Sequence, residues 1–431
     1  MNSLNYANMT NGPLTSRSSA KSRVFTLLLI LLPIINQVQI LGYSFLEFFG
    51  VVAMIMVLLR SHFRLRVSGL VLFYIYMTLS AFISTIIYGE SLLTAVLSAA
   101  RIIVIYVGIF EGAKELFDIK YAKTWFVRIV LVLCVLLYFQ LVMYYLFGRQ
   151  IYLIPDGLTL NYGSGMNSSL LVQRNIRSVM GGYIFRPSSL FIEPSYFAYY
   201  SSPALIILLF DCKLNRNNLY KALTISLASI LTTSTICLVC VLFTWLLFVL
   251  FGRHNLSKGQ RRSIIAFILI LILALLIVLN QSAVQFSLSR KMTQLLDLGE
   301  STSSSMRLTR GWEYFGYMNP FLRIIGCGFG HLADYFDISG MGMKMSNSIN
   351  LTSYMNSFTG VLCSLGIVGL ILFLGGIIPI MQSKDYKRYM VVLLLVLMLA
   401  GAVMDLGSYY LIIAFLLSEQ DMAEEEDIYN H

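Results

Sequence analysis

Ionisable side chains are scarce in this chain, and a few of them fall where their type and spacing could do chemistry. Glu193 stands out. It closes the run Arg186-Pro187-Ser188-Ser189-Leu190-Phe191-Ile192-Glu193-Pro194-Ser195-Tyr196-Phe197, which leads straight into an apolar stretch. A carboxylate at the edge of a membrane span is costly unless paired or wet, so it reads as a functional group by default. Pro194 suits the first turn of a helix, where free N–H groups favour a negative charge. The alternative is that Glu193 only caps that helix and pairs with Arg186. Arg174, Arg177 and Arg186 lie close together on one loop, and Arg307 and Arg310 lie three apart on another, a spacing that puts both on one side of a helix. Guanidinium groups bind phosphate oxygens through paired, directional hydrogen bonds and suit a pyrophosphate. A solvated loop face or lipid head-group contacts are the competing explanation.

Gly326-Cys327-Gly328-Phe329-Gly330-His331 is a Gly-rich turn. It lacks the Lys-Ser/Thr of a nucleotide P-loop, but its backbone could approach a phosphate or sugar closely. His331 directly after it could move a proton near neutral pH, or could be structural. Only four histidines occur, and no His/Cys/Asp cluster has metal-ligand spacing, so no metal and no cofactor is expected. Cys237 and Cys240 form a C-x-x-C inside an apolar helix, where small packing residues are the natural explanation. Glu47, Arg101 and Asp405 complete the ionisable residues in or beside spans, as interhelical pairs or the lining of a polar cavity.

The elements that must position these residues follow from composition. The chain has 431 residues, 58% apolar and 12% charged, with a mean hydropathy of +0.76. An ordinary soluble domain is about a quarter charged, so a soluble fold is excluded. At roughly 20 residues per span the length allows roughly ten to twelve transmembrane helices, and the apolar runs total about twelve. Apolar runs place spans near 24–41, 44–59, 67–87, 92–110, 126–147, 190–210, 264–281 and 356–380. Residues 219–251 split at the polar turn 232–235, and 389–418 form a hairpin broken around Asp405 to Ser408. The expected class is therefore an all-α, polytopic membrane helix bundle. Its regions are an N-terminal five-span region 1–147, a first external loop 148–189, central spans 190–281, a second external loop 282–350, C-terminal spans 351–418 and an acidic cytoplasmic tail 419–431.

Orientation comes from the basic residues, which are retained on the cytoplasmic side of short loops. With a cytoplasmic amino terminus and an uncleaved first span, 20 of the 31 Lys and Arg residues fall inside and are spread over every short loop. The outside ones sit in the two long loops alone. Both termini are then cytoplasmic, and the formal charge of +10 is a topology signal that points away from a nucleic-acid partner. Loops as long as the two external ones are usually functional. The second keeps aromatic anchors, Trp312, Tyr314, Phe315 and Tyr317, so it should dock back on the bundle, with the patch 301–305 as a flexible hinge.

This layout, with the Arg186–Phe197 motif entering a span, Arg307 and Arg310 ahead of Asn319-Pro320, and the Gly326–Gly330 turn, resembles the O-antigen polymerases of the Wzy type and related exopolysaccharide polymerases. The related O-antigen ligases carry a His-Asn pair before a Leu-Gly-x-x-Gly span. Here Leu365-Gly366-Ile367-Val368-Gly369 is kept, but the pair reads Met355-Asn356, which argues against ligase activity. The resemblance implies a GT-C-like glycosyltransferase in the bacterial inner membrane. It would move a growing glycan from one undecaprenyl pyrophosphate carrier onto the sugar of another lipid-linked repeat unit, in the making of O-antigen, capsule or exopolysaccharide. A flippase and a chain-length regulator of the same pathway would be its partners, besides the bilayer.

A departing pyrophosphate needs cations more than a strong acid, so a metal-independent mechanism is expected in which Arg186, Arg307, Arg310, Arg174 and Arg177 bind the diphosphate. Glu193, or else His331, would ready the acceptor hydroxyl, and Tyr196 and Asn356 would contact the acceptor sugar. The alternatives are a transporter or flippase of lipid-linked oligosaccharide, a ligase-like transferase, and a non-catalytic scaffold of an export complex.

Overall fold

The computed structural model describes residues 20–40, 43–59, 69–154, 176–179, 182–211, 215–252, 303–340, 355–383, 385–404 and 406–418. They are mostly helical, with two short antiparallel hairpins as the strands among them. Four helical stretches are long and apolar enough to cross a membrane, and three further apolar helices are shorter.

The first helix, α1 (Ala20–Ile35), stops before the expected end of its apolar run. Asn36 and Gln37 follow, and the chain turns through β1 (Gln39–Ile40) and β2 (Tyr43–Ser44) into α2 (Phe45–Leu58). Next come α3 (Gly69–Ile87) and α4 (Leu92–Ile105), capped by the Ser91 hydroxyl, which accepts the Thr94 N–H at 3.1 Å. After α4 the helix widens into a π-helical turn, Tyr106–Glu111, before α5 (Gly112–Leu116). Gly108 in that turn is where α2 comes closest: a Cβ there would lie 2.3 Å from the Gly50 carbonyl oxygen. The Arg101–Glu47 pair, 2.5 Å apart, ties α4 to α2, which settles those two residues as an interhelical pair. Asp405 lies outside the described residues.

The longest helix, α6 (Ile119–Phe147), begins at an Asp118 cap and ends at Gly148 in the left-handed conformation, φ 63°. Past the hairpin of β3 (Ile176–Val179) and β4 (Gly182–Phe185) come α7 (Pro194–Ile206), α8 (Arg216–Leu231) and α9 (Thr235–Phe251). The expected split at the polar turn is present, with Thr233 at φ 54°. The expected span at 264–281 lies outside the described residues, as does most of the second long loop.

Three shorter helices, α10 (Ser303–Tyr317), α11 (Pro320–Ile325) and α12 (Leu332–Ile338), dock on the bundle through a small core of Tyr314, Met318, Cys327, Phe336, Met355 and Cys363. The aromatic anchors of this loop divide: Tyr314 is buried, whereas Trp312 and Tyr317 remain exposed. The chain closes with α13 (Ser357–Ile377), α14 (Tyr386–Ala400) and α15 (Gly407–Leu417), the last two forming the expected broken hairpin. Large apolar side chains on the outer surfaces of α2, α3, α4, α6 and α9 stay exposed, as lipid-facing residues should.

Candidate functional site

Between β4 and α7 the residues from Arg186 to Glu193 form neither helix nor strand. Pro187, Ser188, Ser189, Phe191 and Ile192 in this segment are buried. Irregular backbone buried in an apolar bundle must have its polar groups satisfied by protein. Two glutamines do this. Gln140 of α6 donates from Nε2 to the Ser189 carbonyl at 3.1 Å and the Ile151 carbonyl at 3.3 Å, and its Oε1 accepts the Ser189 N–H at 2.8 Å. Gln37, just past α1, donates to the Leu190 carbonyl at 3.2 Å and accepts the Ile192 N–H at 2.7 Å. The Ser189 hydroxyl donates to the Leu133 carbonyl at 2.8 Å, and Tyr152 donates to that of Ile192 at 3.2 Å. Ser189 itself stands at φ 57°, a conformation these bonds hold in place.

The segment delivers Arg186 at one end and Glu193 at the other. Glu193 occupies the cap position of α7 in extended conformation, but its carboxylate makes no capping hydrogen bond. Instead Oε2 accepts the Ser195 hydroxyl at 3.1 Å. Simple capping is therefore not what the carboxylate does.

Two turns into α7, Tyr199 is 3% exposed and lies within electrostatic reach of both Glu193 and Arg307. A Cβ on Gly401, which follows α14, would fall 2.1 Å from the Tyr199 hydroxyl oxygen and 3.9 Å from Arg307 Nη1. Arg186 acts on Cys237 of α9, which is also close enough to Tyr199 to act on it. The structure thus brings Glu193 and Arg307 within electrostatic reach of Tyr199, with Arg186 within reach of the neighbouring Cys237. Among the described residues no ion pair engages Arg307. Arg310, three residues on, is partly buried on the same side of α10, in line with the buried Tyr314. Arg174 lies outside the described residues, and Arg177 is on β3 in register with Ile184. Tyr196 borders a small cavity with Asn36, Gln37, Phe191 and Ser408.

Asn356 has a different place from the one expected. It is 1% exposed and caps α13: its Oδ1 accepts the Thr359 N–H at 2.8 Å, and Nδ2 donates to the Arg307 carbonyl at 2.6 Å. With both ends of its amide committed, Asn356 positions the backbone of Arg307 and does not face a sugar. Ser357 extends the link, its N–H donating to the Gly401 carbonyl at 3.0 Å and its hydroxyl accepting the Met404 N–H at 3.0 Å.

The Gly-rich turn is also corrected. Within α13 the helix breaks at Gly366, φ 68° and ψ −172°, which frees carbonyls of the preceding turn. The Cys327 and Gly328 N–H groups fill them, donating to Cys363 and Ser364 at 3.0 Å each. Only glycine fits this contact. A Cβ on Gly326, φ 87°, would lie 2.2 Å from the Ser364 oxygen, and one on Gly366 would lie 2.2 Å from the Ile324 oxygen. The turn plugs a broken helix, and its Cys327 and Gly328 N–H groups are not available to a phosphate.

His331 falls apart from the arginine and carboxylate cluster. Its imidazole meets Thr85 Oγ1 at 2.8 Å and Asp334 Oδ2 at 2.8 Å and stacks on Tyr88, so its partners belong to α3 and α12. None of its described contacts reaches Glu193, Tyr199 or Arg307. Glu90 joins His331 and Asp334 in a group whose ligand atoms lie within 4.8 Å of one another, a cluster that sequence spacing does not reveal because its members come from distant positions.

The described cysteines are buried packing residues. Cys237 donates to the Pro194 carbonyl at 3.3 Å, and burial pushes the Cys327 thiol up to about 12, far from a reactive thiolate. Sequence reasoning missed Gln37, Gln140 and Tyr199. A lone amide inside an apolar run, as at Gln140, was the available signal for the clamp, whereas nothing separates Tyr199 from its aromatic neighbours. No protein-family model matches the chain, and no curated protein matches it.

Proposed function

We propose that the chain is a membrane glycosyltransferase that polymerises undecaprenyl-pyrophosphate-linked repeat units on the outer face of the bacterial inner membrane, within a GT-C-like bundle of about twelve spans whose termini are both cytoplasmic. The observation that carries this reading is the convergence of Glu193 and Arg307, from segments more than a hundred residues apart, on the one buried hydroxyl of Tyr199. An acid and a cation within electrostatic reach of one hydroxyl, with no carboxylate on Arg307 among the described residues, suit a reaction that removes a proton from one partner and develops negative charge on the other.

In the proposed step the acceptor hydroxyl oxygen attacks the anomeric carbon of the donor glycan. Glu193 takes the hydroxyl proton, the bond from that carbon to the pyrophosphate oxygen breaks, and the electron pair leaves with the diphosphate. Arg307 stabilises the departing anion, with Arg186 and Arg310 as the further cations. Tyr196 is the acceptor contact, beside its cavity. Asn356 acts through Arg307 as a positioning residue.

The test is Arg307→Ala, read as glycan chain length in cells and as glycosidic-bond formation by protein reconstituted with lipid-linked repeat units. Losing one such donor costs a factor on the order of 10²–10³ in rate, so polymer should collapse to single units. Full-length polymer at normal protein levels would remove Arg307 from the mechanism. Movement of lipid-linked sugar across vesicles without new glycosidic bonds would favour a transporter instead.

A further inference from the structure

The group of Glu90, His331 and Asp334 is not used by the proposed transfer step. The segments that bear it are held together before any ligand arrives. Glu90 follows α3 through Gly89, φ 84°, and its N–H donates back to the Thr85 carbonyl at 3.1 Å. Across from it, the Tyr88 hydroxyl donates to the Cys327 carbonyl at 3.0 Å, and Gly328 sits against Ser84 so closely that a Cβ would be 2.2 Å from the serine Cβ. His331 is 7% exposed, so its ring has no freedom to turn to water.

The hydrogen bonds fix which imidazole nitrogen faces the carboxylates. Thr85 Oγ1 lies 2.7 Å from the Ala81 carbonyl, which can only accept, so the single hydroxyl proton goes there. Thr85 Oγ1 is then the acceptor for His331 Nε2–H at 2.8 Å. That leaves Nδ1 directed at Asp334 Oδ2, 2.8 Å away, with the Glu90 carboxylate in the same cluster. A neutral imidazole in this tautomer would set a lone pair against an anionic oxygen. A metal ion between the two would remove that repulsion and be held by both. Donation of the far ring N–H to a fixed oxygen is the usual support of a metal-binding histidine.

We propose that Glu90, His331 and Asp334 bind a divalent transition-metal ion, with Zn²⁺ the best match to one imidazole and two carboxylates. Zn²⁺ bonds of about 2.0 Å in a tetrahedral site set ligand atoms about 3.3 Å apart. Nδ1 and Oδ2 therefore have to separate slightly, which the Asp334 side chain, 49% exposed, can do. The ion would pin α12 and the Gly-rich turn to the end of α3. This site does not depend on the glycosyltransferase reading.

The experiment uses full-length, tag-free protein in detergent, stripped with chelator, dialysed against Zn²⁺ and analysed for bound metal. Wild type should hold one equivalent that Glu90→Gln and Asp334→Asn each weaken at least tenfold and His331→Ala abolishes. Glu90 is exposed, so Glu90→Gln keeps the test valid should His331→Ala fold poorly. Zn²⁺ should also raise the melting temperature of wild type and not that of Asp334→Asn. Absence of stoichiometric metal in wild type, or equal binding in Glu90→Gln and Asp334→Asn, would overturn the site.

Discussion

Gly401→Ala tests the junction on which the candidate site depends. Gly401 has φ −178°, an extended conformation open to any residue, so alanine meets no backbone strain there. Its Cβ would nevertheless lie 2.1 Å from the Tyr199 hydroxyl oxygen. Restoring ordinary contact requires a shift of about 1.4 Å. Tyr199 is 3% exposed and its ring is rigid, so the shift must be shared by α7 and the α14–α15 turn, at an overpacking cost of about 1–3 kcal/mol. Removing the hydroxyl relieves the clash, because the next nearest atom, Tyr199 Cζ, stands 3.4 Å from the added methyl group.

Gly401→Ala should therefore melt several degrees lower in detergent, and Gly401→Ala/Tyr199→Phe should recover at least half of that loss. A double-mutant cycle on tryptophan-fluorescence melts would report a coupling of about 1–2 kcal/mol. In cells, Gly401→Ala should shorten the glycan, because the displaced hydroxyl and Arg307 Nη1 meet at the same point. Strictly additive destabilisation would rule out this contact. It would mean that Tyr199 does not face Gly401, and the convergence of Glu193 and Arg307 would fall with it.

Gln140→Leu should strip the buried Ser189 N–H and carbonyl of their partners, costing about 2–5 kcal/mol, and should reduce polymer further than its fall in protein level explains, as immunoblots beside glycan gels would show. Gly366→Ala should be severely destabilising, since its Cβ would meet backbone atoms at 2.2 Å and 2.5 Å, whereas Gly375→Ala, with open space around it, should melt at or above wild type. The Cys327 thiol, raised by burial from 9.0 to about 12, should be alkylated at pH 8 roughly a thousandfold more slowly than an exposed cysteine. Its rate should climb as the pH approaches 12, and mass spectrometry after timed maleimide labelling would measure both.

Apolar runs bounded by charge made the helices legible, because a bilayer-length stretch of Leu, Ile, Val and Phe has few other uses. The polar interruptions at 232–235 and near residue 405 marked real breaks for the same reason. Gly366 was opaque, since its meaning lies in the Ile324 carbonyl and the turn that fills the gap, more than thirty residues away. Glu193 was legible as an anomaly of solvation. Asn356 and the Gly-rich turn were misread because an amide or a free N–H looks the same in sequence whether it awaits a ligand or already holds the backbone of another segment. Glu90, His331 and Asp334 could not be grouped at all until α3 and α12 met.

The Arg186–Glu193 segment shows what this architecture is arranged to hold. A helix there would satisfy its own backbone with no outside help, yet the chain instead buries an irregular stretch and commits Gln37, Gln140, Ser189 and Tyr152 to it. Each buried amide is costly in an apolar surrounding unless fully bonded, so such a clamp persists only where the position of the clamped chain matters. The segment turns at Ser189 and Leu190 and bends through Phe191 to Glu193, with Arg186 at one end and Glu193 at the other. Those ends are a guanidinium and a carboxylate, and the carboxylate and Arg307 both lie within electrostatic reach of Tyr199. Arg307 is in turn fixed from behind, through its own carbonyl, by the cap of α13. Glu193 and Arg307 are thus each held through their own backbone neighbourhood, Glu193 at the end of the clamped segment and Arg307 by the Asn356 amide. Weakening either clamp should therefore impair transfer in proportion to displacement, even with every charge still present.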